Sequence, residues 1–210
     1  NTGNINTFRG GGFYLQDYVK HIEFNNCTFR KNYAQGGAAI LLNCTTLDAD
    51  VLINNCVIEE NTGDYAPALV SIVNGYLNLE VNNSLIVNNL TKSFTGSIVL
   101  GAVAYLNSDG DSDINFYNTT IANNKDSTSG DAGSKNLIFY YVGLNNGTNN
   151  LNLQNCIMYN NVNTTKTISE FSASHHPMTD IQVKSSISEV NSYDVTTSLT
   201  NVITFNPLFV

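Results

Sequence analysis

The stretch Ile22-Glu23-Phe24-Asn25-Asn26-Cys27-Thr28-Phe29-Arg30-Lys31-Asn32 returns almost place for place as Val51-Leu52-Ile53-Asn54-Asn55-Cys56-Val57-Ile58-Glu59-Glu60-Asn61. The same order of apolar, polar and Asn places runs from Leu79 to Asn89, from Ile114 to Asn124 and from Leu151 to Asn161. A degenerate sixth copy, Ile181 to Asn191, puts Ser185 where the others have the middle Asn. Successive copies start 29, 28, 35, 37 and 30 residues apart. The first two apolar places are two residues apart and so share one face of a strand, which is β patterning. A short strand, a polar corner, a second short strand and an Asn corner describe one coil of a solenoid. Each coil buries its apolar side only by stacking on the next, so several in-register copies are needed. The variable spacing then falls in one loop per coil.

Asn supplies 34 of the 210 residues, an excess the stack explains. Coils about 4.8 Å apart bring one Asn per coil into a column where each side-chain amide can bond the next and satisfy turn backbone. Two ladders are legible: Asn26, Asn55, Asn83, Asn118 and Asn155, then Asn32, Asn61, Asn89, Asn124, Asn161 and Asn191. A third strand follows each Asn corner: Gly37–Leu42, Pro67–Val73, Gly96–Leu100 and Asn136–Tyr141, with Gly11–Leu15 opening an earlier coil in the same style.

Phe29-Arg30-Lys31-Asn32 followed by Gly36-Gly37-Ala38-Ala39-Ile40 resembles the paired FxxN and GGA[ILV] motifs of the polymorphic outer-membrane protein repeats. Asn206-Pro207-Leu208-Phe209-Val210 is similar to the [DN]PLF segment that closes the β-helix of large secreted surface proteins. The likeness covers about residues 8–210. It implies a right-handed parallel β-helix and a role in adhesion or surface display, and it transfers no binding residue. The expected architecture is therefore an all-β, right-handed parallel β-helix of about six coils with Asn ladders, a single domain over residues 1–210. Neither Asn1 nor Val210 offers a polar cap, so the expectation is a segment of a longer surface protein with flanking domains or coils.

Hydrophobic residues make up 42% of the chain and charged ones 12%, enough apolar content for a packed core. A net charge of −8 argues against nucleic acid and anionic membrane surfaces, both of which need a basic partner. No apolar run has the length of a membrane span, so no membrane insertion of this segment is expected.

Groups able to carry chemistry are few. Cys27, Cys56 and Cys156 share one repeat place with Ser84, Thr119 and Ser186, which asks for a small side chain; free thiols, including Cys44, are expected, and no spacing suits zinc. Asp109, Asp111 and Asp113 alternate along one loop as oxygen ligands of a hard cation do, although the glycine and distal Glu of an EF-hand are missing. Calcium there, or a solvated acidic loop, are the two readings; no other cofactor is indicated. A lyase of this fold needs cations or Arg/Lys beside its substrate, and the chain has only Arg9 and Arg30 as arginines. A hydrolase would use paired carboxylates, for which Asp48, Asp50, Glu59, Glu60 and Asp64 are candidates. His175-His176 reads as a surface pair. N-x-[ST] triplets occur at Asn26, Asn43, Asn82, Asn89, Asn118, Asn146 and Asn163, and the ladder reading closes Asn26, Asn89 and Asn118 to a glycan.

The function expected is a secreted or cell-surface module that binds a glycan or cell-surface protein without catalysis. Polysaccharide lyase, glycoside hydrolase and filament element are the alternatives. The third strands add an interface expectation. They align as an apolar column of Ile40, Leu69, Ile98 and Leu137 beside a second of Leu41, Val70, Val99 and Ile138. Adjacent columns face opposite ways, so one of them points outward, either under a lid formed by residues 125–135 and 162–176 or against a partner.

Overall fold

The computed structural model describes residues 10–16, 20–44, 48–73, 75–92, 103–108, 110–127, 139–143, 148–163, 171–174, 180–188 and 197–200. All regular structure in them is β, arranged in four sheets. The first sheet holds β1 (Phe13–Gln16), β5 (Ile40–Cys44), β9 (Leu69–Val73), β13 (Ala104–Ser108), β17 (Phe139–Gly143) and β21 (Phe171–Ser174). The second holds β2 (His21–Asn25), β6 (Ala49–Asn54), β10 (Leu77–Asn82), β14 (Ser112–Tyr117), β18 (Asn149–Gln154), β22 (Asp180–Lys184) and β24 (Thr197–Thr200). In the third are β3 (Thr28–Arg30), β7 (Val57–Glu59), β11 (Leu85–Val87), β15 (Thr120–Ala122), β19 (Ile157–Tyr159) and β23 (Ile187–Ser188). The fourth consists of β4 (Tyr33–Gly36), β8 (Thr62–Tyr65), β12 (Leu90–Thr91), β16 (Lys125–Asp126) and β20 (Val162–Asn163). Every pairing is parallel, and the chain visits the sheets in turn before returning to the first, a pattern compatible with a parallel β-helix or solenoid.

The core lies between the inner faces. In the second sheet the repeat's two apolar places stack as Ile22, Val51, Leu79, Ile114 and Leu151, and as Phe24, Ile53, Val81, Phe116, Leu153 and Val183, all buried. Ile58, Ile86, Ile121 and Met158 face them from the third sheet, with Ile40, Leu42, Leu69 and Leu106 from the first. Each such side chain contributes roughly 1.5–3 kcal/mol by leaving water. Phe13, Phe24 and Phe29 meet edge-on at the first coil, with ring centroids 4.9 and 5.4 Å apart.

The Asn ladder is saturated where it is buried. Asn61 Nδ2 donates to Asn89 Oδ1 at 2.9 Å and to the Phe29 carbonyl at 3.0 Å, while Asn61 Oδ1 accepts from Asn32 N at 3.0 Å and Asn32 Nδ2 at 2.9 Å. Asn89 and Asn124 repeat this set, and Asn161 ends the described run. Asn191 lies outside the described residues. The other column has a different cause. Asn26, Asn55, Asn83, Asn118, Asn155 and Ser185 all sit at positive φ, between 48° and 55°, where Asn is the least strained residue after Gly. These Asn side chains are exposed, and their ladder is broken: Asn118 bonds Asn83 and Asn155 bonds Asn118, each at 3.3 Å, but Asn83 Nδ2 reaches Asn54 rather than Asn55. Asn26 and Asn118 are therefore open to solvent, contrary to the expectation from the sequence, whereas Asn89 is buried.

Two further expectations change. The fourth sheet was not foreseen, because strands of two residues such as β12 and β16 show no period. The first sheet's register also differs beyond its third strand. Leu69 pairs with Ala104, not Ile98, and Val70 with Tyr105, not Val99. The next partners are Phe139 and Tyr140, not Leu137 and Ile138. The extra residues of the long repeats precede β13 and β17 instead of following them; Ile98, Val99, Leu137 and Ile138 lie outside the described residues. Leu41, in the outward column, is 0% exposed because Tyr65 and Ala66 of the same chain cover it.

Candidate functional site

Strand alternation turns every second residue of the second sheet outward, and this face carries two columns made almost entirely of polar residues. One column runs His21, Asp50, Asn78, Asp113, Asn150 and Asp180. Beside it run Glu23, Leu52, Glu80, Asn115, Asn152 and Gln182. In neither column do two carboxylates occupy adjacent strands, which avoids the penalty for like charges directly opposite. The amides between them donate to a neighbouring carboxylate: Asn78 Nδ2 to Asp50 Oδ1 and Asn150 Nδ2 to Asp113 Oδ1, each at 2.8 Å.

His21 closes the first-coil end. Its Nδ1 lies 2.7 Å from Asp50 Oδ2 and its Nε2 2.8 Å from Glu23 Oε1, so the doubly protonated ring satisfies both carboxylates. Hydrogen bonding to Glu23 and then to Asp50 raises the imidazole pKa above its ordinary 6.5, and His21 lowers that of Glu23. Toward the middle of the face, the Tyr76 hydroxyl donates to Asp113 Oδ2. That bond, with burial second, pushes the phenol pKa up to about 12. Asn82 donates to Glu80, and Asn152 to Asn115 Oδ1 and the Tyr117 hydroxyl.

The residues singled out from the sequence are placed as follows. Asp109 lies outside the described residues; Asp111 Oδ1 accepts from Thr148 N at 2.6 Å, and Asp113 is held by Tyr76 and Asn150. Among the described residues, no three His, Cys, Asp or Glu side chains group as metal ligands. The five carboxylates near the second coil do not converge. Asp50 is on the second sheet's outer face, Asp48 accepts from Tyr76 N, Glu59 and Glu60 pair with Arg30 at 3.2 Å, and Asp64 is buried in β8. His175 and His176 fall outside the described residues. Sequence reasoning missed the His21, Glu23 and Asp50 cluster, whose members lie on two coils and become neighbours only once the register is fixed.

All four cysteines are free. Their shared column does more than pack. Ser84 Oγ accepts from Cys56 N at 3.1 Å and donates to the Asn82 carbonyl; Ser186 Oγ accepts from Cys156 N at 3.1 Å and donates to the Lys184 carbonyl. Thr119 Oγ1 and Cys156 Sγ each donate to a carbonyl of the preceding coil, Val81 and Phe116. Cys, Ser and Thr are interchangeable here because each carries a donor and an acceptor at the γ position.

The fold and this face define an all-β protein of stacked parallel strands with Asn ladders. Set against known proteins, the chain matches no family model, no curated protein and no solved structure. No helix among the described residues is long and apolar enough to cross a membrane.

Proposed function

We propose that the four sheets are the walls of a right-handed parallel β-helix, and that this β-helix is a secreted or cell-surface module that holds a neutral glycan on the outer face of its second sheet without turning it over. The observation that carries this reading is the composition of that face: carboxylates, amides, His21 and Tyr76, with Leu52 the lone aliphatic residue among the described members of its two central columns. Carboxylates and amides engage neighbouring sugar hydroxyls through paired hydrogen bonds, and an exposed phenol offers a flat apolar side with a polar tip. Coils about 4.8 Å apart repeat this set along the stack, as a polysaccharide repeats its rings. Glu23, Asp50, Glu80 and Asp113 repel uronates, and of the two basic side chains in the described part of this face, His21 is taken up by Glu23 and Asp50, which leaves Lys184 at the far end.

Glycan arrays and titration calorimetry with neutral and uronate polysaccharides test the reading, with the products assayed for new reducing ends. Saturable binding of a neutral glycan that weakens in Tyr76→Ala and Asp113→Ala, without turnover, is expected. Release of reducing ends or unsaturated products overturns it, as does preference for polyuronate.

A further inference from the structure

Cys27 and Cys56 occupy adjacent places in the column of γ donors and acceptors, and every other described pair of neighbours in that column includes a Ser or Thr. The two are in register: Thr28 and Val57, which follow them, are strand partners, Val57 N donates to the Cys27 carbonyl at 2.9 Å, and Cys27 N lies 3.4 Å from Cys56 Sγ. An in-register separation of about 4.8 Å falls inside the Cα range of roughly 4.4–6.8 Å that disulfides span. Ser84, Thr119 and Ser186 show that this place needs no sulfur for its hydrogen bonds.

We propose that Cys27 and Cys56 are a redox pair, oxidised by a low-molecular-weight disulfide to an intramolecular disulfide that staples the first described coil to the second. Cys27, half-buried, is the entry point, and Cys56, 1% exposed, is the resolving thiol. The Cys27 thiolate attacks one sulfur of the external disulfide, forms a mixed disulfide and releases one small thiol. Cys56 then loses its proton and attacks the Cys27 sulfur, releasing the second small thiol. The protein gives up two electrons and two protons, and the external disulfide is reduced to two thiols. Burial raises the Cys56 pKa, partly offset by the hydrogen bond its sulfur accepts from Cys27 N, which suits Cys56 to the second, intramolecular step.

Parallel in-register side chains keep their Cβ atoms near the strand spacing, so the bond requires the corner to close toward roughly 3.5–4.5 Å. That movement is possible here because both cysteines lie in the corners between strands, outside the paired ladders. The thiol hydrogen bonds given up, Cys27 to the Asn25 carbonyl at 3.4 Å and Cys56 to the Phe24 and Asn54 carbonyls at 3.3 Å, are weak.

The experiment incubates the full chain with glutathione disulfide, alkylates the remaining thiols and maps peptides by mass. The expected product is lighter by two hydrogens, carries a Cys27–Cys56 link and still alkylates at Cys44 and Cys156. Cys56→Ser, which installs the group found at Ser84, stops at one glutathione on Cys27. Amide exchange of residues 28–30 slows by about tenfold on oxidation, because the stapled coil then opens less often. Glutathione retained on Cys27 of the unsubstituted chain, a link to any other cysteine or between chains, an unreacted Cys27, or unchanged exchange would overturn the proposal.

Discussion

The hydroxyl end of the Tyr65 ring lies against its strand partner Gly36, so closely that a Cβ added to Gly36 would collide with Tyr65 Cζ. The same ring, with Ala66, covers Leu41 and removes an outward-facing aliphatic side chain from water. Gly36 is thus a seat for an aromatic lid, while its neighbour Gly37, at φ 58°, supplies the turn into the first sheet.

Gly36→Ala should destabilise the chain by about 1–3 kcal/mol, the usual cost of overpacking. Most of that loss should vanish in a Tyr65→Ala background, where no ring remains to be displaced. Denaturant unfolding of the two single variants and the double variant measures it. Additive losses would mean that the ring and the glycine do not interact.

The two Asn columns should respond differently. Asn89→Ala removes a buried amide that donates to Asn124 and the Ile58 carbonyl and accepts twice from Asn61. Leaving those groups unpaired should cost about 3 kcal/mol or more, at 1–3 kcal/mol for each buried orphan. Asn118→Gly, exposed and at φ 49°, should stay within about 1 kcal/mol, because Gly adopts that backbone without strain. Asn118→Val should be worse than Asn118→Gly, since a β-branched residue resists the left-handed region. Equal losses at Asn89 and Asn118 in urea titrations would contradict this division of roles.

In the γ donor column, Cys156→Ser should be nearly neutral, since the Thr119 hydroxyl makes the same two carbonyl bonds that the Cys156 thiol makes. Ser84→Ala should cost roughly 1–3 kcal/mol because Cys56 N is left without its acceptor. If Ser84→Ala proves as mild as Cys156→Ser, size alone rules the place.

The His21 clasp gives a pH window. A raised pKa means that His21 contributes below its ordinary value of 6.5, and that contribution is lost as pH rises through the higher folded value. Glu23, with a lowered pKa, contributes above 4.5 and loses its part as pH falls through the folded value. Both operate together from about 4.5 to 6.5. Resonance titration of His21 should give a midpoint above 6.5 that moves back toward it in Glu23→Gln and Asp50→Asn. Screening by solvent keeps the effect on global stability small. An unshifted midpoint would remove the clasp.

What the sequence discloses depends on how much side-chain pattern each element carries. The alternation Val51, Ile53 and Leu79, Val81 is long enough to fix strands, inner faces and register together. Ile40 and Leu69 were rightly paired across a repeat of ordinary length. Pairing failed at the next coil because extra residues can be placed on either side of a strand, and Ala104 is a weaker marker of an inward place than Ile98. Two-residue strands such as β12 carry no period at all. The two Asn columns look alike in sequence, since both follow short strands; only the backbone separates Asn89, held by four hydrogen bonds, from Asn118, held chiefly by its φ. The polar face was legible residue by residue but not as a surface, because His21 and Asp50 become neighbours only through the coil register.

The buried ladder holds the stacked coils in register, and nuclear magnetic resonance can detect it bond by bond. Scalar couplings across hydrogen bonds should connect the backbone N of Asn32, Asn61, Asn89 and Asn124 to the side-chain Cγ of Asn61, Asn89, Asn124 and Asn161, respectively. Couplings in that order would establish both the stack and its register. Their absence in a folded, slowly exchanging protein, or couplings that skip a coil, would contradict the ladder and the parallel stack built on it.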